Sequence, residues 1–193
     1  MYHIYHTEGI ILGSRNFGET GRCYSIFTRD LGMIYASAQG VRKMSSKLRF
    51  VLIDYAHVKL DLVRGKDFWR LTSASKTDKL EIICKNSETF KTFANIGRLL
   101  QRLLKGEEAN EELFLDLLKG LTILEKSKNI NQLRNIEVVI VLRVLDNLGY
   151  IGDDKILKNI IKSPFEEDLM FEVDKSRSKI LSEINKALGE THL

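Results

Sequence analysis

Two hydrophobic periods divide the chain near residue 80. In the first 80 residues, β-branched and aromatic residues recur in short runs between glycines and charged turns, which is typical of strands. In the fourth run, apolar Ala56, Val58 and Leu60 alternate with polar residues, so one face of that strand is predicted to be buried. Tyr55 is out of phase with this set and predicts a bulge. The five predicted strands cover residues 5–15, 22–28, 33–39, 53–63 and 68–75.

The connections between these strands favour a small barrel. Residues 29–32 and 64–67 are short and contain glycine, as tight hairpin turns commonly do. A longer connection, residues 40–52, separates the third and fourth strands. Five strands with the long crossover after the third have the order of an OB-fold. An SH3-like barrel has the same number of strands, and the periodicity leaves both barrels open.

After residue 80 the hydrophobic period is 3.6, which predicts helices. Ser87 and Asn110 are the predicted N-caps of the first two helices, because short polar side chains accept hydrogen bonds from a helix N-terminus. Residues 131–148 form a third helix that is apolar around most of its circumference, so we expect it to be central. A short fourth helix is predicted to stop at Pro164, the only proline, because proline cannot continue a helix interior.

The end of the chain completes an all-α region. Residues 165–173 are predicted to be extended, and a last helix, residues 175–188, is predicted to end at Gly189. The predicted fold class is therefore a β barrel plus an all-α part. A five-stranded OB-fold occupies residues 1–80, and a C-terminal helical bundle domain occupies residues 81–193.

Charge separates the two parts further. Residues 1–80 contain 13 Lys and Arg against 7 Asp and Glu, a balance of +6, whereas residues 81–193 contain 17 against 19, a balance of −2. The N-terminal excess favours a polyanionic partner. No run approaches the roughly 18 apolar residues that a membrane span needs, and the polar start lacks the apolar core of a signal peptide, so we expect a cytoplasmic protein without a membrane partner.

Cations and aromatic residues of the predicted barrel suggest a nucleic-acid site. The connection 40–49 contains four cations and no anion, although an ordinary solvated loop has the same composition. Cations also flank the first and last hairpins, which border the oligonucleotide face of an OB-fold. Phe17 and Tyr35 are the aromatic residues expected outside the core, whereas Tyr24, Phe50, Tyr55 and Trp69 are expected inside it. The predicted nucleic-acid-binding residues are Arg15, Arg22, Tyr35, Arg42, Lys43, Lys47, Arg49, Arg64 and Lys66.

A second group of cations lies on or beside the apolar helices. Arg98 and Arg102 share a helix face because they are four residues apart. Cations beside a hydrophobic groove would suit an acidic, hydrophobic peptide, so Arg98, Arg102, Arg134 and Arg143 are the predicted partner-binding residues. For any one of them, an intramolecular salt bridge is the alternative.

Catalytic and metal-binding patterns are missing from the sequence. His3, His6, His57 and His192 do not have metal-ligand spacing, and Cys23 and Cys84 do not form a C-x-x-C pair. No nucleophile elbow, phosphate-binding loop or dinucleotide fingerprint is present. We therefore predict no catalytic residue, no cofactor, no metal and no enzymatic activity.

Several ordered motifs resemble the RecO family of bacterial recombination mediators. In the N-terminal part they are residues 7–12 (TEGIIL), 16–19 (NFGE), 27–33 (FTRDLGM), 40–49 (GVRKMSSKLR) and 60–65 (LDLVRG). The helical part contributes weaker similarities, at residues 142–145 (LRVL), 148–150 (LGY) and 184–188 (INKAL). The resemblance covers nearly the whole chain, and the N-terminal motifs carry it.

The resemblance implies a non-enzymatic function in DNA repair and homologous recombination. Such a protein binds single-stranded and double-stranded DNA, anneals complementary strands and helps load RecA onto strands covered by single-strand-binding protein. The implied partners are the acidic C-terminal tail of single-strand-binding protein, RecR and, as a further candidate, RecF, in the bacterial nucleoid. Many members carry a four-cysteine zinc site, but no cysteine follows Cys84 here, so we expect no zinc. An OB-fold RNA-binding or translation accessory protein is the alternative function.

Overall fold

The computed structural model describes residues 3–66, 69–80, 86–127 and 129–191. Within these residues, five strands precede five α-helices, and a short 3-10 helix lies between the third and fourth strands. The chain divides into two compact units. One unit comprises Met1–Ile83 and Gly97–Phe114, and the other comprises Cys84–Ile96 and Leu115–Leu193. The first unit thus contains the barrel and, in addition, a later stretch of chain.

The five strands close into a barrel. They are β1 (Ile4–Phe17), β2 (Gly21–Thr28), β3 (Gly32–Ala38), β4 (His57–Arg64) and β5 (Trp69–Lys76). Their order around the barrel is β1-β2-β3-β5-β4, and the pairing of β3 with β5 is parallel. This order is that of an OB-fold, so the predicted fold class is confirmed and the SH3-like alternative is set aside.

Alternating residues of the strands fill the barrel. Every second side chain points inward, and each of these buried apolar side chains contributes roughly 1.5–3 kcal/mol through removal from water. Val41 and Leu52, from the connection between β3 and β4, join the same core. The strand residues of this core include Tyr24, Ile26, Ile34, Ala36, Ala38, Val58, Leu60, Leu62, Trp69 and Leu71.

The predicted start of the fourth strand and its bulge at Tyr55 are wrong. Residues 53–56 form a turn, in which Tyr55 has a positive φ of 70°. The turn is attached to β1 because the Tyr55 N–H donates to the Ile11 carbonyl at 2.7 Å, and the Ile11 N–H donates to the Ala56 carbonyl at 3.0 Å. The register of the sheet shifts at two other places, on β1 between Ile11 and Gly13, and in the pairing of β4 with β5 between Asp61 and Leu62.

Five α-helices follow, with caps that differ partly from the prediction. Asn110 caps the second helix as predicted, since its Oδ1 accepts from the Leu113 N–H at 3.0 Å. The first helix is capped by Asn86 rather than Ser87, because Asn86 Oδ1 accepts from the Glu88 N–H at 2.9 Å. The helices are α1 (Ser87–Leu103), α2 (Glu111–Lys126), α3 (Ile130–Asn147), α4 (Lys155–Lys162) and α5 (Glu167–Glu190).

The last helix is longer than the sequence suggested. The predicted extended segment 165–173 is wrong from Glu167 onward, and α5 continues through Gly189 to its last residue. Leu169 and Val173 are buried at helical spacing, in phase with Ile180 further along, so one apolar stripe runs along the whole helix. Charged residues lie between these apolar positions, so the helical period was not recognised in the sequence.

Some sequence features lie outside the described residues, namely Phe68 at the predicted start of the fifth strand, Cys84 and His192. Cys23 is a buried free thiol. Within the described part of the chain, no group of three or more His, Cys, Asp and Glu is placed to hold a metal ion. No helix in that part has the length and apolar character needed to cross a bilayer.

Candidate nucleic-acid interface

A row of paired residues on the outer side of the sheet crosses four strands of the barrel, and its two central residues, Cys23 and Ser37, are buried while the arginines at its ends are exposed. Arg15 on β1 is paired with Cys23 on β2, Cys23 with Ser37 on β3, and Ser37 with Arg70 on β5. The neighbouring positions on β2 and β3 point into the core, so this row faces outward. Arg15 and Arg70 are exposed, and three strand spacings of about 4.8 Å separate them by roughly 14 Å along the sheet. We call this set the outer row.

Tyr35 lies on the same face as the outer row. It is two residues before Ser37 on β3 and is paired with Ser25 on β2. Its side chain is 52% exposed, unlike Ile34 and Ala36 on either side, which are fully buried. The strand therefore presents an aromatic ring to solvent, and such a ring is a stacking platform for any base.

Three arginines surround a cavity of about 270 Å³, which we call the recess. Arg22 is at the start of β2, on the inward phase, opposite Ala38 at the end of β3. Arg42 and Arg49 come from the connection between β3 and β4, and Arg49 belongs to its 3-10 helix, Lys47–Phe50. The other lining residues are Tyr24, Val41 and Leu52, all buried.

Neutral groups contact two of the three guanidinium groups of the recess, those of Arg42 and Arg49. Arg42 Nη1 donates to the Glu19 carbonyl at 3.1 Å. Arg49 Nη1 contacts Met44 Sδ at 3.1 Å, and the guanidinium lies 4.6 Å from the Phe50 ring centroid. Within the described residues, none of the three arginines forms an ion pair with a carboxylate. Their charges are therefore oriented but not neutralised by the protein.

The Tyr24 hydroxyl belongs to the same arrangement. Burial raises its pKa, and the neighbouring Asp54 acts in the same direction, whereas the hydrogen bond and positive charge of Arg22 oppose the shift. Since the net effect is a raised pKa, Tyr24 remains a neutral phenol at physiological pH. A neutral phenol beside Arg22 does not cancel the charge of that arginine.

A second cavity, of about 390 Å³, lies at the hairpin between β4 and β5. Arg64, Lys66 and Arg70 line it. The guanidinium of Arg64 pairs with Glu107 and lies 4.7 Å from the Trp69 ring centroid. Arg64 is thus partly neutralised within the protein, whereas Lys66 and Arg70 have no carboxylate partner in the described part of the chain.

The barrel therefore brings the predicted cations together in two places. Arg22, Arg42 and Arg49 meet in the recess, and the exposed Lys43 and Lys47 lie on the same connection as two of them. Arg64 and Lys66 lie at the second cavity, and Arg15 lies on the outer row.

Sequence reasoning missed two residues of this surface. Arg70 alternates with buried Trp69 and Leu71, so its outward orientation was readable from the period of two. Phe50 was predicted to be in the core but is 62% exposed. Phe50 follows Arg49 in a connection without strand periodicity, and this position could have indicated that its side chain is exposed.

The arginines of the helical part have different environments. Arg98, Arg102 and Arg134 are exposed, and their predicted partner contacts remain predictions. Arg143 is buried, with Nη1 donating to Asp116 Oδ1 at 2.8 Å and Nη2 donating to the Ser163 carbonyl. Its guanidinium also lies 4.2 Å from the Phe165 ring centroid. Arg143 thus forms the intramolecular salt bridge that was the alternative, and we leave it out of any partner surface.

Replacing Asp116 by Asn is expected to reduce the free energy of unfolding of the helical unit by about 2 kcal/mol, because the buried Arg143 then lacks a compensating charge. The measurement is urea denaturation followed by circular dichroism at 222 nm. Lys91→Ala removes one partner of an exposed ion pair, Glu88–Lys91, and should cost less than about 0.5 kcal/mol. Equal losses for the two variants would contradict the role assigned to Arg143.

Comparison with known proteins agrees with this architecture. The family model for the recombination protein O N terminal region matches residues 1–79. The chain is 29% identical over 147 residues to the DNA repair protein RecO of Heliobacterium modesticaldum, an overlap of 76% of this chain and 52% of that relative. For the DNA repair protein RecO of a Roseiflexus species, identity is 32% over 148 residues, with coverage of 76% and 50%.

A third relative, the DNA repair protein RecO of Thermodesulfovibrio yellowstonii, is 28% identical over 152 residues, with coverage of 78% of this chain and 60% of the relative. The chain spans about half the length of the curated relatives it matches. The matches extend beyond the barrel into the helical part, since they are longer than the 79 residues of the family model. The closed barrel, the family model and these relatives together show that residues 1–79 are an N-terminal domain of the recombination protein O family, and the similarity to RecO proteins continues into the helical part.

Proposed function

We propose that this chain acts in DNA repair and recombination by binding single-stranded DNA on its barrel and promoting the pairing of complementary strands. The observation that carries the proposal is the group of arginines in the recess, which form no ion pair with any carboxylate that the structure describes, near the outer row and the exposed ring of Tyr35. The relatives described above are DNA repair proteins by name, which supports the same function.

The chemistry of this surface suits a single strand. Guanidinium and ammonium groups neutralise phosphates and release condensed counterions, and this interaction does not depend on base sequence. Tyr35 supplies a face on which an unpaired base can stack, whereas the bases of a duplex are already stacked. Since Arg64 is paired with Glu107, we assign it a smaller share of the binding than Arg22, Arg42 or Arg49.

The proposed mechanism is stoichiometric and requires no bond chemistry. A surface that holds the backbone of one strand leaves the Watson–Crick edges of its bases accessible to a second strand. The helical unit would contact single-strand-binding protein or RecR, and RecF is a further candidate partner. Within that unit, exposed Arg134 is the residue we propose for the acidic tail of single-strand-binding protein. Exposed Arg98 and Arg102, which belong to the first unit, are separate candidates for contact with a partner. Loading of RecA would follow from local displacement of single-strand-binding protein.

The test is annealing of two complementary oligonucleotides that are precoated with the cognate single-strand-binding protein. The wild-type chain should accelerate annealing, and alanine replacement of Arg42, Lys43, Lys47 and Arg49 should abolish the acceleration. Circular dichroism and thermal unfolding establish that the variant is folded. Annealing rates that do not change when wild-type protein is added would contradict the proposal, and tighter binding to RNA than to DNA would then favour an RNA-binding function.

A matched variant removes the same charge elsewhere on the first unit. It replaces the exposed Lys59, Lys76, Lys79 and Lys105 by alanine. Lys59 is paired with Glu8 on β1, seven residues before Arg15, so roughly 23 Å of strand separate it from the outer row. This control should retain most of the acceleration. Loss of annealing in both variants would mean that net charge, and not the proposed surface, drives pairing.

A further inference from the structure

The recess lies at a different place on the barrel from the wall along which a DNA backbone would bind. Arg22 is on the inward phase of β2, at the end of the barrel where β3 finishes, whereas the outer row is on the wall of the barrel. A strand held by the exposed Arg15 and Arg70 of the outer row would therefore reach into the recess most directly with one of its ends.

The charge of the recess exceeds that of one internal phosphate. Three guanidinium groups line it, and the negative charge of Asp54 acts on its tyrosine, Tyr24. Asp54 itself accepts a hydrogen bond from the Ser14 hydroxyl at 2.9 Å. The balance of these four side chains is about +2. A phosphodiester carries a single negative charge, whereas a phosphomonoester carries about −1.5 to −2 at neutral pH and offers three acceptor oxygens.

The walls of the recess also fit a chain end. The aliphatic side chains of Val41 and Leu52 and the ring of Tyr24 give it apolar sides below the arginines. A cavity of about 270 Å³ is larger than a phosphate group alone and has room for part of the attached nucleotide. The guanidinium groups of Arg42 and Arg49 contact the Glu19 carbonyl, Met44 and the Phe50 ring, so binding costs little additional side-chain entropy for these two residues.

We propose that the recess binds the terminal phosphomonoester of a DNA strand, so that the protein recognises a phosphorylated strand end in addition to the backbone. This inference deepens the proposed function and rests on single-strand binding by the barrel. Its ligand class is a terminal phosphate on a single strand, and free inorganic phosphate is the competing source of the same chemistry.

The test compares the affinities of the full chain for internally labelled oligonucleotides of one sequence that end in 5′-phosphate, 3′-phosphate or hydroxyl groups. Wild-type protein should bind one phosphorylated form about tenfold more tightly than the hydroxyl form. Arg42→Gln with Arg49→Gln should lose this tenfold increment. Arg15→Gln with Arg70→Gln, on the outer row, should weaken all three ligands but keep the ratio between them.

Two further ligands separate this inference from the proposed function. Circular single-stranded DNA has no end, so its binding tests the barrel surface alone, and failure to bind it would contradict the proposed function. If the strand end is the ligand, inorganic phosphate at millimolar concentration should reduce only weakly the difference in affinity between phosphorylated and hydroxyl-ended oligonucleotides. Equal affinities for phosphate and hydroxyl ends, an increment that survives in the Arg42/Arg49 variant, or its complete loss in inorganic phosphate would overturn the inference.

Discussion

Alanine replacement of Arg42, Lys43, Lys47 and Arg49 is expected to weaken binding to a single-stranded oligonucleotide by roughly 10²–10³-fold at 0.1 M salt, because four phosphate contacts are lost. The loss should be similar for different base sequences, since counterion release carries no sequence information. Fluorescence anisotropy across a range of salt concentrations measures both the affinity and its salt dependence.

The salt dependence is the sharper readout. The slope of log K against log salt should flatten by about 0.7 for each phosphate contact removed from a single strand. The variant at Lys59, Lys76, Lys79 and Lys105 should leave the slope nearly unchanged, because none of these lysines lines the recess or belongs to the outer row. An unchanged slope in the first variant would remove the connection between β3 and β4 from the DNA site.

The barrel could be predicted from the sequence because its signals are local. Alternation along each strand, glycine-containing turns and one long connection predicted the number and sequence of strands in an OB-fold, and the observed strand order then set the SH3-like barrel aside. The errors occur where a longer-range contact decides the local structure. Tyr55 looked like a strand residue, but hydrogen bonds of residues 55 and 56 with Ile11 hold it in a turn. The start of α5 was missed because charged residues surround Leu169 and Val173.

The candidate site was predictable as a set of residues but not as an arrangement. Composition identified Arg42 and Arg49, and hairpin position identified Arg22. That the three meet in one recess depends on the pairing of Arg22 with Ala38 and on the 3-10 helix that carries Arg49. The outer row likewise requires the parallel pairing of Ser37 with Arg70, and no local pattern specifies a pairing between strands so far apart in sequence.

Gly32 illustrates a constraint that only the folded chain reveals. As the first residue of β3 it has a φ of +69°, which a hairpin turn explains. A Cβ at this position would also lie 2.7 Å from the backbone nitrogen of Glu108. The same segment accepts a hydrogen bond from the Met33 N–H at the Gly106 carbonyl, at 3.2 Å. The backbone of residues 106–108 therefore packs directly on the start of β3, within the first unit.

Gly32→Ala is expected to reduce the free energy of unfolding of the barrel unit by about 3 kcal/mol or more, since the left-handed backbone costs an L-residue about 1–2 kcal/mol and the overpacking costs about 1–3 kcal/mol. Gly18→Ala is the matched control. Gly18 also has a positive φ, of +61°, but a Cβ there would meet nothing within 4 Å. It should therefore lose only the backbone contribution, about 1 kcal/mol.

The fluorescence of Trp69, the only tryptophan, reports unfolding of the barrel because its side chain is buried in the barrel core. Urea denaturation followed by this signal gives the two losses in the same unit of the protein. The difference between them isolates the close approach of Gly32 to Glu108 from the cost of the backbone conformation. Equal losses of unfolding free energy for the two variants would mean that residues 106–108 can move to accommodate the added Cβ. Their packing against β3 would then contribute little to the stability of the barrel.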